Sequence, residues 1–331
     1  MKSFLRFTFL FAFVVIVMWP GNAMGQPPKP VLVVLNKSDN NLAIVDPVGM
    51  KVIAKVPTGE GPHEVVLSDD GRIAYAANYG GQTPGTTLSV IDVANAKEIR
   101  RVDLSPLIRP HGLHLIGTKL YFTAETSRAV ARYDTAANKV DWIMGTGQNG
   151  SHMITGTGDE KRFYAANIGS DSVTAFEFQN PPPAGSRVMH IAVGKQPEAI
   201  MISPDGREVW VGLNTDRGID IIDTATGKAA ARIDLGGRPY RVKFTPDGKR
   251  AVIPIWPSNE LVIVDAVTRK EIKRIKLDST PFGIVLTADG RTAFVSALQP
   301  DSVLKIDLQT GEIIGRIETG KTPDGIALFG M

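Results

Sequence analysis

His63, His111 and His152 are three of the five histidines in this 331-residue chain, and each stands at the start of a short apolar run, two of them directly after a proline. Neutral imidazole is a ligand for zinc, copper, iron and nickel, and near pH 7 it is also the side chain best suited to moving a proton. With Glu125 or Glu198 close by, these histidines could hold a divalent transition metal, and His111 with Glu125 form the candidate pair for acid–base chemistry. Other chemistries lack residues to carry them. The chain contains no Cys, which removes disulfides, thiolate metal sites and a cysteine nucleophile together. It also lacks the G-x-S-x-G nucleophile elbow and the H-E-x-x-H zinc helix.

The elements that must place these residues are visible as repetition. The stretch Gly194 to Leu235, beginning GKQPEAIMISPDGREVWVGLN, recurs directly as GGRPYRVKFTPDGKRAVIPIW. Each copy holds four runs of alternating apolar and β-branched residues, in the first copy Ala199 to Ile202, Glu208 to Gly212, Ile219 to Asp223 and Ala229 to Leu235. Between them lie turns such as Ser203-Pro-Asp-Gly206, where Pro pre-sets φ and Gly accepts a positive one. A four-stranded meander cannot bury both its faces alone. Copies must therefore stack, and a four-stranded repeat of about 40–45 residues predicts propeller blades.

The residue that begins each first strand counts the blades: Pro62, Pro110, Ser151, Pro197, Pro239, Pro281 and Pro323, at spacings of 48, 41, 46, 42, 42 and 42. Insertions at Gly80 to Gly85 and Asn180 to Gly185 account for the two long intervals. After Pro323 only one strand remains, Gly325 to Phe329, whereas the chain begins with three: Val31 to Leu35, Leu42 to Val45 and Val52 to Val56. The two ends are expected to share one blade, which closes the ring and removes exposed sheet edges. The fold predicted is all-β, a seven-bladed propeller of four-stranded antiparallel blades forming one domain over residues 31–331. The repeated Asp at the end of each third strand (Asp46, Asp92, Asp134, Asp223, Asp265 and Asp307) is expected to cap the following turn.

In a propeller the start of each first strand stands at the mouth of the central channel, and loops at one end of a rigid scaffold are where function collects. Round the ring, the residue after each first-strand start is His63, His111, His152, Glu198, Tyr240, Phe282 and Asp324. A second ring, at the end of the second strands, reads Asn78, Glu125, Asn167, Leu213, Ile255 and Ala297. One side of the mouth is thus polar and the other apolar. Arg109, Lys195, Arg238 and Lys321 add positive charge to the rim, which suits an anionic ligand. The expected binding set is His63, Asn78, His111, Glu125, His152, Asn167, Glu198, Tyr240, Phe282 and Asp324 with Arg109 and Arg238. Metal ligands would come from His63, His111, His152, Glu125 and Glu198. Since nitrogens must lie about 2.0–2.1 Å from an ion, a pair of histidines with one carboxylate is expected in preference to all three imidazoles. His114 is expected to be a hydrogen-bonded core histidine, and His190 a surface residue.

Residues 1–25 read as an export signal: Lys2 and Arg6 precede an apolar run from Phe7 to Trp19, followed by Ala23-Met24-Gly25. The run is short for a membrane span, and residues 26–30 make a proline-rich lead-in, so a soluble, monomeric protein of the periplasm or exterior is expected. Without Lys2 and Arg6, the 37 Lys and Arg fall to 35 against 34 Asp and Glu. So balanced a charge gives no basic footprint for nucleic acid.

Segments such as SDDGRIAYAANY, SPDGREVWVGLN and TPDGKRAVIPIW resemble the YVTN-repeat, YncE-like secreted propellers, over essentially Val31 to Phe329. The second blade departs from the pattern at its shortened turn, Ile116-Gly-Thr-Lys119, and the third lacks the terminal Asp. The resemblance implies a seven-bladed fold in a family that spans binding proteins and enzymes; the regular repeats and the absence of a nucleophile motif favour a binding or scaffold role, with a small molecule, peptide or protein partner at the channel mouth. The second blade, RPHGLHLIGTKLYFTAETSRAVARYD, is also similar to repeats of streptogramin-lyase and lactonase propellers. That likeness implies the alternative, a metal-assisted lyase or lactonase working through His and Glu at the same mouth.

Overall fold

The computed structural model describes residues 30–180 and 186–331, so the expected export signal and most of the lead-in lie outside the described residues. Seven antiparallel sheets follow one another around a ring. Blade 1 comprises Pro62–Leu67, Ile73–Gly80, Pro84–Asp92 and Lys97–Asp103, in order from the channel outwards. Blades 2 to 6 repeat this order, with inner strands beginning at Pro110, Ser151, Pro197, Arg238 and Thr280. The seventh blade takes its inner strand, Pro323–Phe329, from the end of the chain and its other three, Val31–Asn36, Asn41–Asp46 and Lys51–Pro57, from the beginning. Val31 pairs with Phe329 and Val34 with Ile326, so the expected shared blade closes the ring, with its inner strand starting at Pro323 itself.

Burial follows from position in the blade. Middle strands are covered on both faces and are mostly apolar, as in Glu208–Leu213 with Trp210 at its centre. Outer strands are charged edges, such as Lys97–Asp103 and Glu271–Lys276, which discourages edge-to-edge pairing. Seven separate apolar clusters lie between neighbouring blades, one per interface. Tyr121 meets Phe163 at 4.0 Å between blades 2 and 3, and Trp210 meets Phe244 at 5.2 Å between blades 4 and 5. Burying a side chain of this kind contributes about 1.5–3 kcal/mol, so the stacking of blades holds the ring without cross-links.

The repeated Asp acts as the sequence suggests. Asp134 accepts backbone N–H bonds from Ala136 and Ala137, Asp265 from Val267 and Thr268, and Asp307 from Gln309 and Thr310. Among the described residues no helix is long and apolar enough to cross a membrane.

One irregularity recurs in every blade and decides what enters the channel. Pro62 pairs with Asn78 and Val65 with Ala76, so His63 and Glu64 together oppose the single residue Ala77. The same surplus residue occurs at His111–Gly112, His152–Met153, Glu198–Ala199, Phe282–Gly283 and Asp324–Gly325. In blade 5 it interrupts the inner strand between Arg238–Pro239 and Lys243–Phe244. A bulge of this kind re-aims side chains that strict alternation would send elsewhere.

Candidate functional site

The bulges gather the predicted first ring into one buried layer across the channel. His111 is 0% exposed, Asp324 1%, Glu198 6%, His63 7% and His152 9%. These residues plug the channel where an open mouth was expected. Their imidazoles stack in chain order, His63 on His111 with centroids 4.2 Å apart and His111 on His152 at 3.8 Å. Separation between blades is therefore no obstacle to a shared ligand. Tyr240 and Phe282 complete the ring on its apolar side, 4.5 Å apart.

His152 lies between two carboxylates, donating Nδ1–H to Glu125 Oε2 at 2.7 Å and Nε2–H to Glu198 Oε1 at 3.0 Å. Burial alone would favour the neutral ring, but the Glu198 charge and the Glu125 hydrogen bond outweigh it and hold its pKa up at about 10. Burial would conversely raise the Glu198 pKa, and the His152 charge instead brings it down to about 2. Glu125 also accepts from the Tyr79 hydroxyl at 2.9 Å, and Glu198 from Asn214 Nδ2 at 3.2 Å. Behind this layer Arg241 donates to Glu64 and to the Tyr240 carbonyl, with Glu198 Oε1 3.5 Å away. Glu64 is held at a pKa of about 2 against the opposing effect of burial, chiefly by the Arg241 charge.

His111 differs from every other polar group of the layer. Neither of its ring nitrogens has a hydrogen-bond partner, and His63 Nδ1 is likewise without one, since Asp324 Oδ2 lies 3.2 Å away but off the bonding direction. Burial, followed by the charge on His152, depresses the His111 pKa well below its usual value, so the ring is neutral and its lone pair is free. His63, Glu64 and His111 each bring a ligand atom within 4.8 Å of the others, and so do His111, Glu125 and His152. The first group fits a metal better. It contains the unpartnered nitrogens, whereas His152 already spends both N–H groups on carboxylates.

The second ring lies elsewhere than predicted. Asn78 is 1% exposed and holds the loop above it, accepting from Gly59 N at 3.1 Å and donating to Thr87 and Ser89. Asn167 accepts from Ser151 and donates to Ser172 and Thr174. Both are satisfied inside their blades and do not reach the channel layer. The residues that do reach it are Glu125, as predicted, and, one place further along than predicted, Tyr79 and Asn214, with Lys37 3.9 Å from Asp324 in the closing blade. Arg109 stacks on Tyr79 at 4.5 Å, and Arg238 on Trp256 at 5.0 Å, so both rim cations cover aromatic rings. Lys195 and Lys321 are exposed, as is His190. His114 makes no side-chain hydrogen bond among the described residues, contrary to expectation, and sits edge-on to Phe163 at 6.1 Å.

Glu64 and Arg241 escaped sequence reading, although a signal existed. They occupy the second bulge position, where Gly112, Ala199, Gly283 and Gly325 stand in other blades. A Cβ on Gly325 would lie 2.4 Å from the His63 carbonyl, which shows how little room that position usually has. Two nucleotide-binding spellings are also present by chance. Gly145-Thr-Gly-Gln-Asn-Gly150 links Lys139–Gly145 to Ser151–Gly156, and Gly315-Arg-Ile-Glu-Thr-Gly-Lys-Thr322 leaves the strand Ile313–Glu318 for Pro323–Phe329. Neither opens the helix that such phosphate sites need.

The YncE-like β-propeller family matches residues 113–290. No curated protein matches the chain. Among solved structures, a chain of Kuenenia stuttgartiensis hydrazine synthase is similar with TM-score 0.70 and 19% identity, covering 84% of this chain and 92% of that one. A functionally unknown protein from Desulfotomaculum acetoxidans gives TM-score 0.76 at 12% identity, covering 90% and 98%. The dihydro-heme d1 dehydrogenase NirN gives 0.64 at 17%, covering 94% and 78%. At these identities the likeness is one of fold.

Proposed function

Since the chain belongs to the YncE-like β-propeller family, whose fold is shared by proteins of unlike activity, we propose its function from the channel layer: a periplasmic or secreted binding protein that holds a divalent transition-metal ion at His63, Glu64 and His111. The observation that carries this reading is His111, fully buried with both nitrogens unpartnered. A buried polar group left unsatisfied costs about 1–3 kcal/mol, and a ligand that accepts its lone pair removes that cost. Two imidazoles and a carboxylate suit zinc, nickel, copper or iron. Glu64 supplies negative charge beside the ion, and Asp324, 3.2 Å from His63 Nδ1, adds a second carboxylate nearby. Because the layer is sealed to solvent, a held ion favours binding over turnover at an open mouth.

The test uses protein purified without a histidine tag. Metal analysis and calorimetry with zinc, nickel, copper and manganese salts are expected to give one ion per chain, raised melting temperature, and loss of both effects in His111→Phe. No stoichiometric metal and no thermal response to any of these ions would refute the reading.

A further inference from the structure

Below the histidine layer the channel widens into a cavity of about 270 Å³. Its wall is formed two residues beyond the bulges, where the inner strands present Val66, His114, Thr155, Met201 and Lys243. Most of these are apolar or weakly polar, and a lysine in such company needs a reason. Lys243 makes no hydrogen bond and no ion pair within 4.0 Å among the described residues. The carboxylate whose charge it feels belongs to Glu64, and that group is already held by Arg241. His114, also without a hydrogen bond, lines the same cavity. Thr155 Oγ1 accepts from Ile202 N at 3.2 Å, so its hydroxyl hydrogen can turn towards the space or to Met201 Sδ, 3.8 Å away.

A partly buried ammonium whose only carboxylate on the cavity wall, Glu64, is taken by Arg241 is costly, since such a charge must be paired or solvated. Here it faces a space large enough for a small anion together with a few waters, each occupying about 30 Å³. Apart from the Glu64 carboxylate, which Arg241 holds, the polar groups around it can donate: Lys243 offers N–H bonds, neutral His114 offers one, and the Thr155 hydroxyl another. Arg241 adds positive charge from the cavity wall.

We propose that this cavity is a second binding site, for a small oxyanion or carboxylate, held by Lys243 and His114 and bordering the metal cluster at Glu64. Its ligand chemistry is opposite to that of the metal cluster, so the two readings stand or fall apart.

The experiment uses metal-free protein at pH 7, titrated by calorimetry and followed by melting curves with inorganic phosphate and, separately, with malonate. At least one of the two is expected to saturate a single site per chain and to raise the melting temperature; which one does so separates a phosphate ligand from a carboxylate ligand. Lys243→Met should weaken that binding at least tenfold, and because it removes an unpaired buried charge it should melt no lower than the unaltered protein. Lys243→Arg should retain binding, and His114→Leu should weaken it. Absence of saturation by either anion at tens of millimolar, or binding by Lys243→Met and His114→Leu as tight as that of the unaltered protein, would overturn the proposal.

Discussion

His111 lies against His152 with ring centroids 3.8 Å apart and planes tilted by 31°, a neutral imidazole resting on a charged one. The two rings share a layer but not a charge state, because only His152 is flanked by carboxylates on both sides. Opposite shifts in neighbouring groups give the protein a different response to acid and to base.

In base, His152 governs. Its pKa rises from 6.5 to about 10 on folding, so its stabilising contribution is whole below pH 6.5 and drains away as the pH climbs through about 10. The melting temperature should fall between pH 7 and pH 10, and His152→Gln should show a shallower slope over that window. Equal slopes in the two proteins would show that His152 is not held protonated.

In acid, His111 and His114 stay neutral in the folded protein while the unfolded chain takes up protons below pH 6.5. Burial, with a smaller effect from Lys243, lowers the His114 pKa to about 4, so stability should decline as the pH falls from 6.5 towards 4. The share of His114 is on the order of 3 kcal/mol. His114→Leu should flatten that decline in a pH series of denaturant titrations. Below pH 4.5 the loss steepens for a separate reason, since Glu64 and Glu198 are held at about 2 in the fold and stay charged there while the unfolded chain takes up protons on them.

In the metal-free protein Arg241 neutralises the Glu64 carboxylate. Replacing it with Met leaves Glu64 buried without a counter-charge and should cost about 3–5 kcal/mol, whereas the double variant Arg241→Met, Glu64→Gln should recover much of that loss. A double-mutant cycle by urea unfolding measures the coupling. Additive effects would mean that the pair is solvated in solution.

His111→Phe, which abolishes the metal response if the proposal holds, should not destabilise the metal-free protein. It removes two unsatisfied nitrogens and keeps an aromatic face for His63 and His152 to stack on. A melting temperature several degrees lower without metal would show that the nitrogens have partners.

Deleting Lys321 to Met331 removes the inner strand of the closing blade and leaves Val31–Asn36 unpaired on its channel side. Cooperative thermal unfolding should be lost. A truncated protein that melts like the parent would refute closure by the two chain ends.

The ring of blades was legible from sequence because every copy carries the same turn chemistry, and a repeat that cannot bury itself has few ways to stack. The first channel ring was legible for the same reason, since His63, His111 and His152 hold one place in the repeat. The second ring was read one residue early except in blade 2. There the shortened turn at Ile116–Lys119 brought Glu125 into alignment, whereas Asn78 and Asn167 pair directly with the first-strand starts Pro62 and Ser151. With a side-chain period of two, one step exchanges the channel for the blade interior, and so Tyr79 and Asn214 were passed over. Glu64 and Arg241 were hidden by the bulges, because two consecutive residues entering one space leave no alternation to detect.

The bulges also divide the chain into parts that can change independently. What fills this end of the channel is spelled by seven dipeptides, and the clusters that bind blade to blade use none of their first members. Descendants of such a chain can rewrite the plug, exchanging histidine for tyrosine or aspartate, while the stacking interfaces remain untouched. The freedom is unequal within each pair: on Gly112 a Cβ would stand 2.7 Å from the Met153 Cα, so the second letter changes only when the neighbouring blade yields. A lineage bearing charge at that second letter, as at Glu64 and Arg241, has altered two blades to place one ion pair.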